Sequence, residues 1–120
     1  MTFHLGLDCG GTSTRAFVVD SAGRRGGRGE SGQGNPHYAS TNEVKAHLVE
    51  AIGAACANAG ATPRDCGSVF VGMAGVTTEA GRVGVRQLVA SCGLEHARIG
   101  VDHDIRIALA GGRGDDPAWH

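Results

Sequence analysis

The residues best suited to chemistry form a glycine-rich turn near the start of the chain, over residues 8–14. An apolar run before the turn predicts a strand that delivers the carboxylate of Asp8 to its end. Glycines follow, and consecutive backbone N–H groups without side chains around them can point inward and bind an anion. We therefore predict that five consecutive residues bind a polyphosphate: Gly10, Gly11, Thr12, Ser13 and Thr14.

The acid before this turn predicts a metal ion. Asp8 would repel a phosphate, whereas Mg²⁺ binds one or two carboxylates and keeps several of its waters. Taken alone, the pattern favours a plain hairpin with an acid at its start. It is not a P-loop, because no Lys-Ser or Lys-Thr pair follows the glycines and the next segment is a strand rather than a helix.

A second candidate segment is the loop over residues 34–37, Gly-Asn-Pro-His. The side-chain amide of Asn35 has both donors and an acceptor, which suits sugar hydroxyls or an acetamido group. Asn-Pro is also a common turn-forming pair, so the segment taken alone favours a plain turn, and the two interpretations are balanced only when the other segments are considered with it. His37 lies beside this pair and is a further candidate substrate ligand.

Two more candidates follow predicted buried strands. Gly75 ends the strand 68–74, where a missing side chain allows either close approach of the backbone to a ligand or a tight exit from the strand. Asp104 follows the strand 97–101, and a carboxylate there can take the proton from a hydroxyl that accepts a phosphoryl group. The same position favours Asp as a helix N-cap. Asp102 could also converge with Asp104 on a metal, since alternate strand residues share a face.

These candidates must be positioned by an ordered set of strands and helices. The predicted strands cover residues 3–8, 15–20, 24–30, 68–74 and 97–101, and the predicted helices cover residues 41–59, 78–92 and 104–110. The first helix has the clearest limits, because Ser40 begins a Ser-x-x-Glu capping box and Gly60 supplies a stop.

The element order β-β-β-α-β-α-β-α predicts an α/β fold with a mixed five-stranded sheet. Hairpins join the first three strands, and right-handed β-α-β crossovers join the others. This arrangement resembles the ribonuclease H-like unit, two copies of which form the actin-like ATPase architecture. The basic stretch 24–28 is expected to be a solvated edge of the sheet.

Composition excludes several classes of protein. The 120 residues are 41% hydrophobic and 19% charged with a net charge of −1, which is typical of one globular domain and leaves no basic excess for nucleic acid. No apolar run approaches the ~20 residues of a membrane span. The four cysteines are scattered and no leader precedes the first strand, so we expect free thiols and a cytoplasmic location. His4, His47, His96 and His120 show no ligand spacing.

Residues 5–20 resemble the first phosphate motif of the BadF/BadG/BcrA/BcrD-type ATPases and N-acetylglucosamine kinases. That motif usually reads Asp-Gly-Gly-Gly-Thr followed by Lys, Arg or Ser and a second strand. Cys9 replaces a frequent glycine, and Ser13 occupies a position that is often basic. Losing that charge weakens the expected contact to the γ-phosphate, unless Arg15 partly substitutes. Segments 34–37, 69–76 and 101–111 follow in the order that the family shows.

The resemblance implies an ATP-dependent amino-sugar kinase that uses Mg²⁺. It implies Asn35, His37 and Gly75 at the sugar and Asp104 as the general base, and it leaves open a homodimer of the full-length protein. It also implies a second domain with a further phosphate motif, so residues 3–112 are expected to be an incomplete N-terminal domain, inactive alone, with an irregular tail at 113–120. Two alternatives stay open: an ATPase activator of a dehydratase or reductase, and a non-catalytic sugar-binding remnant.

Overall fold

The computed structural model describes residues 2–10, 12–33, 40–73 and 75–102. The elements in these ranges are β1 (Phe3–Cys9), β2 (Thr14–Asp20), β3 (Gly26–Ser31), α1 (Thr41–Ala59), a 3-10 turn (Pro63–Asp65), β4 (Cys66–Met73), α2 (Glu79–Ala90) and β5 (Arg98–Asp102). The predicted order is confirmed as far as β5. The predicted helix 104–110 and tail 113–120 lie outside the described residues.

The five strands form one mixed sheet in the order β3-β2-β1-β4-β5. β1 is antiparallel to β2, and β2 to β3, whereas β1, β4 and β5 are parallel to one another. The carboxyl ends of the three parallel strands therefore meet at one edge of the sheet. β3 is an outermost strand of the sheet, as predicted, and Arg24, Arg25 and Arg28, which lie in or just before it, are exposed.

The sheet, α1 and α2 contribute to one hydrophobic core. In β1, alternate residues are almost fully buried, and α1 contributes Val44, Leu48 and Ile52 to the same cluster. The predicted limits of α1 are confirmed: Ser40 accepts a hydrogen bond from the Glu43 N–H, and Gly60 ends the helix with a φ of 70°. Because both ends are capped, several of the unpaired backbone groups at the helix ends gain partners, and the limits of the helix are well defined.

Two glycines of β3 allow α1 to lie directly against the edge of the sheet. A Cβ atom added at Gly27 would lie 2.6 Å from the Ala59 backbone nitrogen, and one at Gly29 would lie 2.7 Å from that of Ala55. Neither distance is compatible with a real side chain. The glycine content of this strand therefore reflects backbone-to-backbone packing as well as its place at an edge.

All four cysteines lie within the described ranges, and all four are buried free thiols. The Sγ atoms of Cys56 and Cys66 share a long hydrogen bond of 4.0 Å, and no disulfide joins them. Burial, reinforced by the negative charge of Asp8, raises the pKa of the Cys9 thiol to about 12. No helix in the described ranges is long and apolar enough to cross a membrane.

We expect these thiols to be unreactive in the folded chain. An aromatic disulfide reagent at mildly alkaline pH attacks accessible thiolates, and burial keeps all four thiols out of its reach. The spectrophotometric assay should therefore report slow modification limited by unfolding, and rapid modification of all four thiols in denaturant. Rapid reaction of two or more thiols without denaturant would contradict the packing of this core.

Candidate functional site

The candidate site lies where the parallel strands end. Asp8 of β1 is the register partner of Gly72 in β4, and Gly72 is the partner of Asp102 in β5. The three residues thus share one face of the sheet, with no side chain between the two carboxylates. In open α/β sheets, ligands bind outside the carboxyl ends of the strands. The fold therefore places the predicted metal ligand at the edge where a ligand is expected.

The predicted phosphate turn is a tight hairpin between β1 and β2. The Gly10 N–H donates to the Ser13 carbonyl at 2.9 Å, and a Cβ at Gly10 would lie only 3.3 Å from the same oxygen. Thr12 is exposed and Ser13 is half-buried, so the hydroxyl-bearing part of the turn is open to a ligand. Gly11 lies outside the described residues. Phosphate binding by this turn stays a prediction.

Thr14 has a different environment from the rest of the turn. Thr14 is fully buried, and its hydroxyl donates a hydrogen bond to the Gly32 carbonyl at 2.8 Å. A phosphate contact from this hydroxyl stays a prediction, and it would require that hydrogen bond to be broken. In the present arrangement Thr14 joins β2 to the end of β3.

A histidine that the sequence pattern did not single out fixes the same region. The Nδ1 atom of His47 on α1 lies 2.7 Å from the Gln33 carbonyl oxygen. The Cε1 atom of the same ring would lie 2.7 Å from a Cβ at Gly32, so a side chain at position 32 would displace the ring from its present place. Together with Thr14, His47 anchors the chain at residues 32 and 33, just before the candidates Asn35 and His37 in sequence. Those two candidates lie outside the described residues.

Asp8 forms an ion pair with the next strand. Arg15 of β2 is its cross-strand partner, and its Nη2 atom lies 2.5 Å from the Asp8 Oδ2 atom. The side chains are 23% exposed for Asp8 and 48% exposed for Arg15. Exposed pairs of this kind contribute little to stability, typically about 0.2–1 kcal/mol. The importance of the pair lies in its position beside the phosphate turn.

The donor set at Asp8 fits a magnesium ion that arrives with a nucleotide. Among the described residues, no group of three or more His, Cys, Asp or Glu side chains could hold a metal. One partly exposed carboxylate beside a turn that is predicted to bind phosphate matches the usual magnesium site, in which substrate phosphates and water complete the coordination shell. A resident cation enclosed entirely by protein ligands would not fit this donor set.

A cavity of about 470 Å³ adjoins the same edge and is lined by Val76, Thr77, Arg82, Val101 and Asp102. That volume lies within the usual range for small-molecule sites, about 300–1,000 Å³. Gly75 directly precedes this lining. Its φ of 87° lies in the left-handed region, so the exit from β4 favours glycine. The predicted base Asp104 lies outside the described residues, but Asp102, two positions before it, lines the cavity.

The family model for the BadF/BadG/BcrA/BcrD ATPase family matches residues 5–118. The chain belongs to this family. The match includes the glycine turn and all three strands that end at the candidate site, so the predicted membership is confirmed. A search among curated proteins found no match.

Solved structures place this family member in the predicted fold. A Porphyromonas gingivalis protein assigned as an N-acetylglucosamine kinase is 24% identical with a TM-score of 0.62, covering 82% of this chain and 33% of its own. A Chromobacterium violaceum protein with the same assignment is 22% identical with a TM-score of 0.63, at 98% and 40% coverage. YeaZ from Pseudomonas aeruginosa is 16% identical with a TM-score of 0.51, at 96% and 50% coverage.

These similarities establish the ribonuclease H-like, actin-like ATPase fold of the described sheet. At sequence identities of 16–24%, these similarities establish the fold and not the function. The chain spans between a third and a half of the length of the three structures.

Proposed function

We propose that this family member is the N-terminal part of an ATP-dependent amino-sugar kinase with a substrate like N-acetylglucosamine. One observation carries the proposal: Asp8 and the open glycine turn lie at the same sheet edge as Gly75, Asp102 and a cavity of sugar-accommodating size. The assignments of two structural relatives as N-acetylglucosamine kinases support the choice of substrate class.

Each part of the proposed site has a role that its chemistry supports. The backbone of the turn at residues 10–14 would hold the phosphates of ATP, and Asp8 would hold Mg²⁺, which neutralises charge on the phosphates during transfer. Asn35, His37 and Gly75 would bind the sugar. Asp104 would accept the proton of the sugar hydroxyl that attacks the γ-phosphate.

We further propose that this chain does not turn over alone. Phosphoryl transfer depends on in-line positioning and on exclusion of water, and a single domain with an open edge provides neither. Its partner would be the second, C-terminal domain that the family resemblance implies, and residues 3–112 would be the N-terminal domain with a tail at 113–120. Buried free thiols favour a reducing, cytoplasmic setting for the proposed kinase.

The activator alternative has less support. The resemblance implies that such activators present cysteines for an iron–sulfur cluster at a subunit interface. All four cysteines here are buried, and burial raises the pKa of Cys9 and Cys92. None of these thiols is placed to ligate a shared cluster at the surface.

Titration of the isotope-labelled chain by NMR tests the proposal. Mg²⁺ with ATP should shift the amide signals of Asp8, Thr12 and Ser13, and the shifts should shrink when a chelator removes the metal. N-acetylglucosamine should shift signals near Thr77 and Asp102, with glucose as the matched control that lacks the acetamido group.

Sugar shifts without any response to the nucleotide would favour the non-catalytic remnant. A nucleotide response that maps to α1 or β3 would contradict the proposed phosphate site. Steady sugar-dependent ADP release by the isolated chain would contradict the need for a second domain.

A further inference from the structure

The pair of Asp8 and Arg15 creates a competition at the proposed metal site. Arg15 is 2.5 Å from one carboxylate oxygen of Asp8. Both side chains lie on the sheet face away from α1, because their sequence neighbours Leu7 and Ala16 are fully buried on the other face. A guanidinium and a magnesium ion would therefore seek the same oxygens, and two cations at one carboxylate repel each other.

Displaced from Asp8, the Arg15 guanidinium would still be close to the phosphate turn. Arg15 directly follows Thr14, and its side chain is 48% exposed, so it is free to adopt other rotamers. A guanidinium binds phosphate through two parallel hydrogen bonds, which makes it a strong partner for a nucleotide. Thr12 of the turn is exposed and Ser13 is half-buried, so the turn leaves room for the guanidinium beside a bound phosphate.

We propose that Arg15 is a positioning residue that exchanges partners during nucleotide binding. It holds the Asp8 carboxylate while the site is empty, and it moves to the phosphates of ATP when Mg²⁺ takes its place. This inference rests on the proposed function, and it adds a coupling that the function alone does not require. Metal and nucleotide therefore bind cooperatively. Mg²⁺ replaces Arg15 at the Asp8 carboxylate, and the phosphates of ATP bind the guanidinium that is released.

The coupling predicts that Arg15→Gln changes two affinities in opposite directions. Mn²⁺ alone, followed by electron paramagnetic resonance, should bind about threefold to tenfold more tightly, because the competing cation is gone. Mg²⁺ with ATP, followed by calorimetry, should bind about tenfold more weakly, because a charge-assisted contact to phosphate is lost. Arg15→Lys keeps the charge without the bidentate geometry and should fall between wild type and Arg15→Gln in both.

Glu95→Gln is the matched control. Glu95 is exposed and precedes β5, so this variant removes one carboxylate at the opposite ends of the parallel strands, away from Asp8 and Arg15. It should leave both affinities within about twofold of wild type, since exposed charges separated by more than a Debye length are largely screened. Thermal unfolding of Arg15→Gln should match wild type, which excludes loss of fold as the cause.

The outcomes separate the inference from the function on which it rests. If wild type binds Mg²⁺ with ATP and Arg15→Gln changes neither affinity, or weakens both, the partner exchange is overturned and the phosphate site survives. If wild type does not bind the nucleotide at all, the proposed function falls and the inference falls with it. Opposite shifts in the two measurements support the exchange.

Discussion

Replacing Gly29 by alanine is expected to destabilise the fold by about 3 kcal/mol or more, at the upper end of the range for overpacked cores. The added Cβ would lie 2.7 Å from the Ala55 nitrogen and 2.8 Å from the Ala54 Cβ atom. The first of these is a backbone atom of α1, so no side chain can rotate away and the whole helix must shift. Urea unfolding followed by circular dichroism measures the loss.

Gly53→Ala is the control for this substitution. Gly53 lies on the exposed side of the same helix, and a Cβ there meets nothing within 4 Å. The change should stabilise the chain by about 0.5–1 kcal/mol, because alanine is the better helix former. An unchanged unfolding midpoint for Gly29→Ala would show that α1 does not lie against β3 as described.

Substitution of Asp8 by asparagine is expected to remove the metal dependence of nucleotide binding. The neutral amide loses the charge that attracts Mg²⁺, so the affinity for Mg²⁺ with ATP should fall by about tenfold to a hundredfold. ATP without metal should bind as well as before or better, because the repelling carboxylate is gone and Arg15 is released. Calorimetry with and without a chelator gives both values.

Glu95→Gln is the charge-matched control for Asp8→Asn. Glu95 is exposed and precedes β5, which places it at the opposite edge of the sheet. It should leave nucleotide binding unchanged with and without metal. An Asp8→Asn variant that still binds ATP more tightly with Mg²⁺ than without would remove Asp8 from the metal site.

Local signals made most of the fold predictable. The Ser40 capping box and the Gly60 stop defined α1 to the residue, because a helix end is determined by a few neighbouring groups. Long-range contacts were not predictable in the same way. The glycines of β3 indicated a weak edge strand, but only the structure shows that α1 lies directly on Gly27 and Gly29. The sequence did not predict the 3-10 turn Pro63–Asp65. Proline is common just after the end of a helix, so Pro63 was explained by the end of α1 alone.

The candidate site was predictable in its position and less so in its contacts. Chain order alone places Asp8 and the glycine turn at the end of β1. The bond from Thr14 to Gly32 and the ion pair of Asp8 with Arg15 depend on the strand register. A one-residue change of register would turn every side chain of β2 to the other face, and turn residues alone do not decide it. His47 lacked any signal, because its partner is a backbone carbonyl distant in sequence.

The direct seating of α1 on β3 also bears on how this strand can vary in evolution. Positions 27 and 29 have no room for any side chain, whereas the intervening Arg28 points away from the helix and is exposed. Tolerance to mutation should therefore alternate along the strand with the pleat. We expect homologous domains to vary in the residues on the outer face of β3, and hence in the charge of that surface. Glycine should be retained at both positions wherever α1 keeps its contact with the strand.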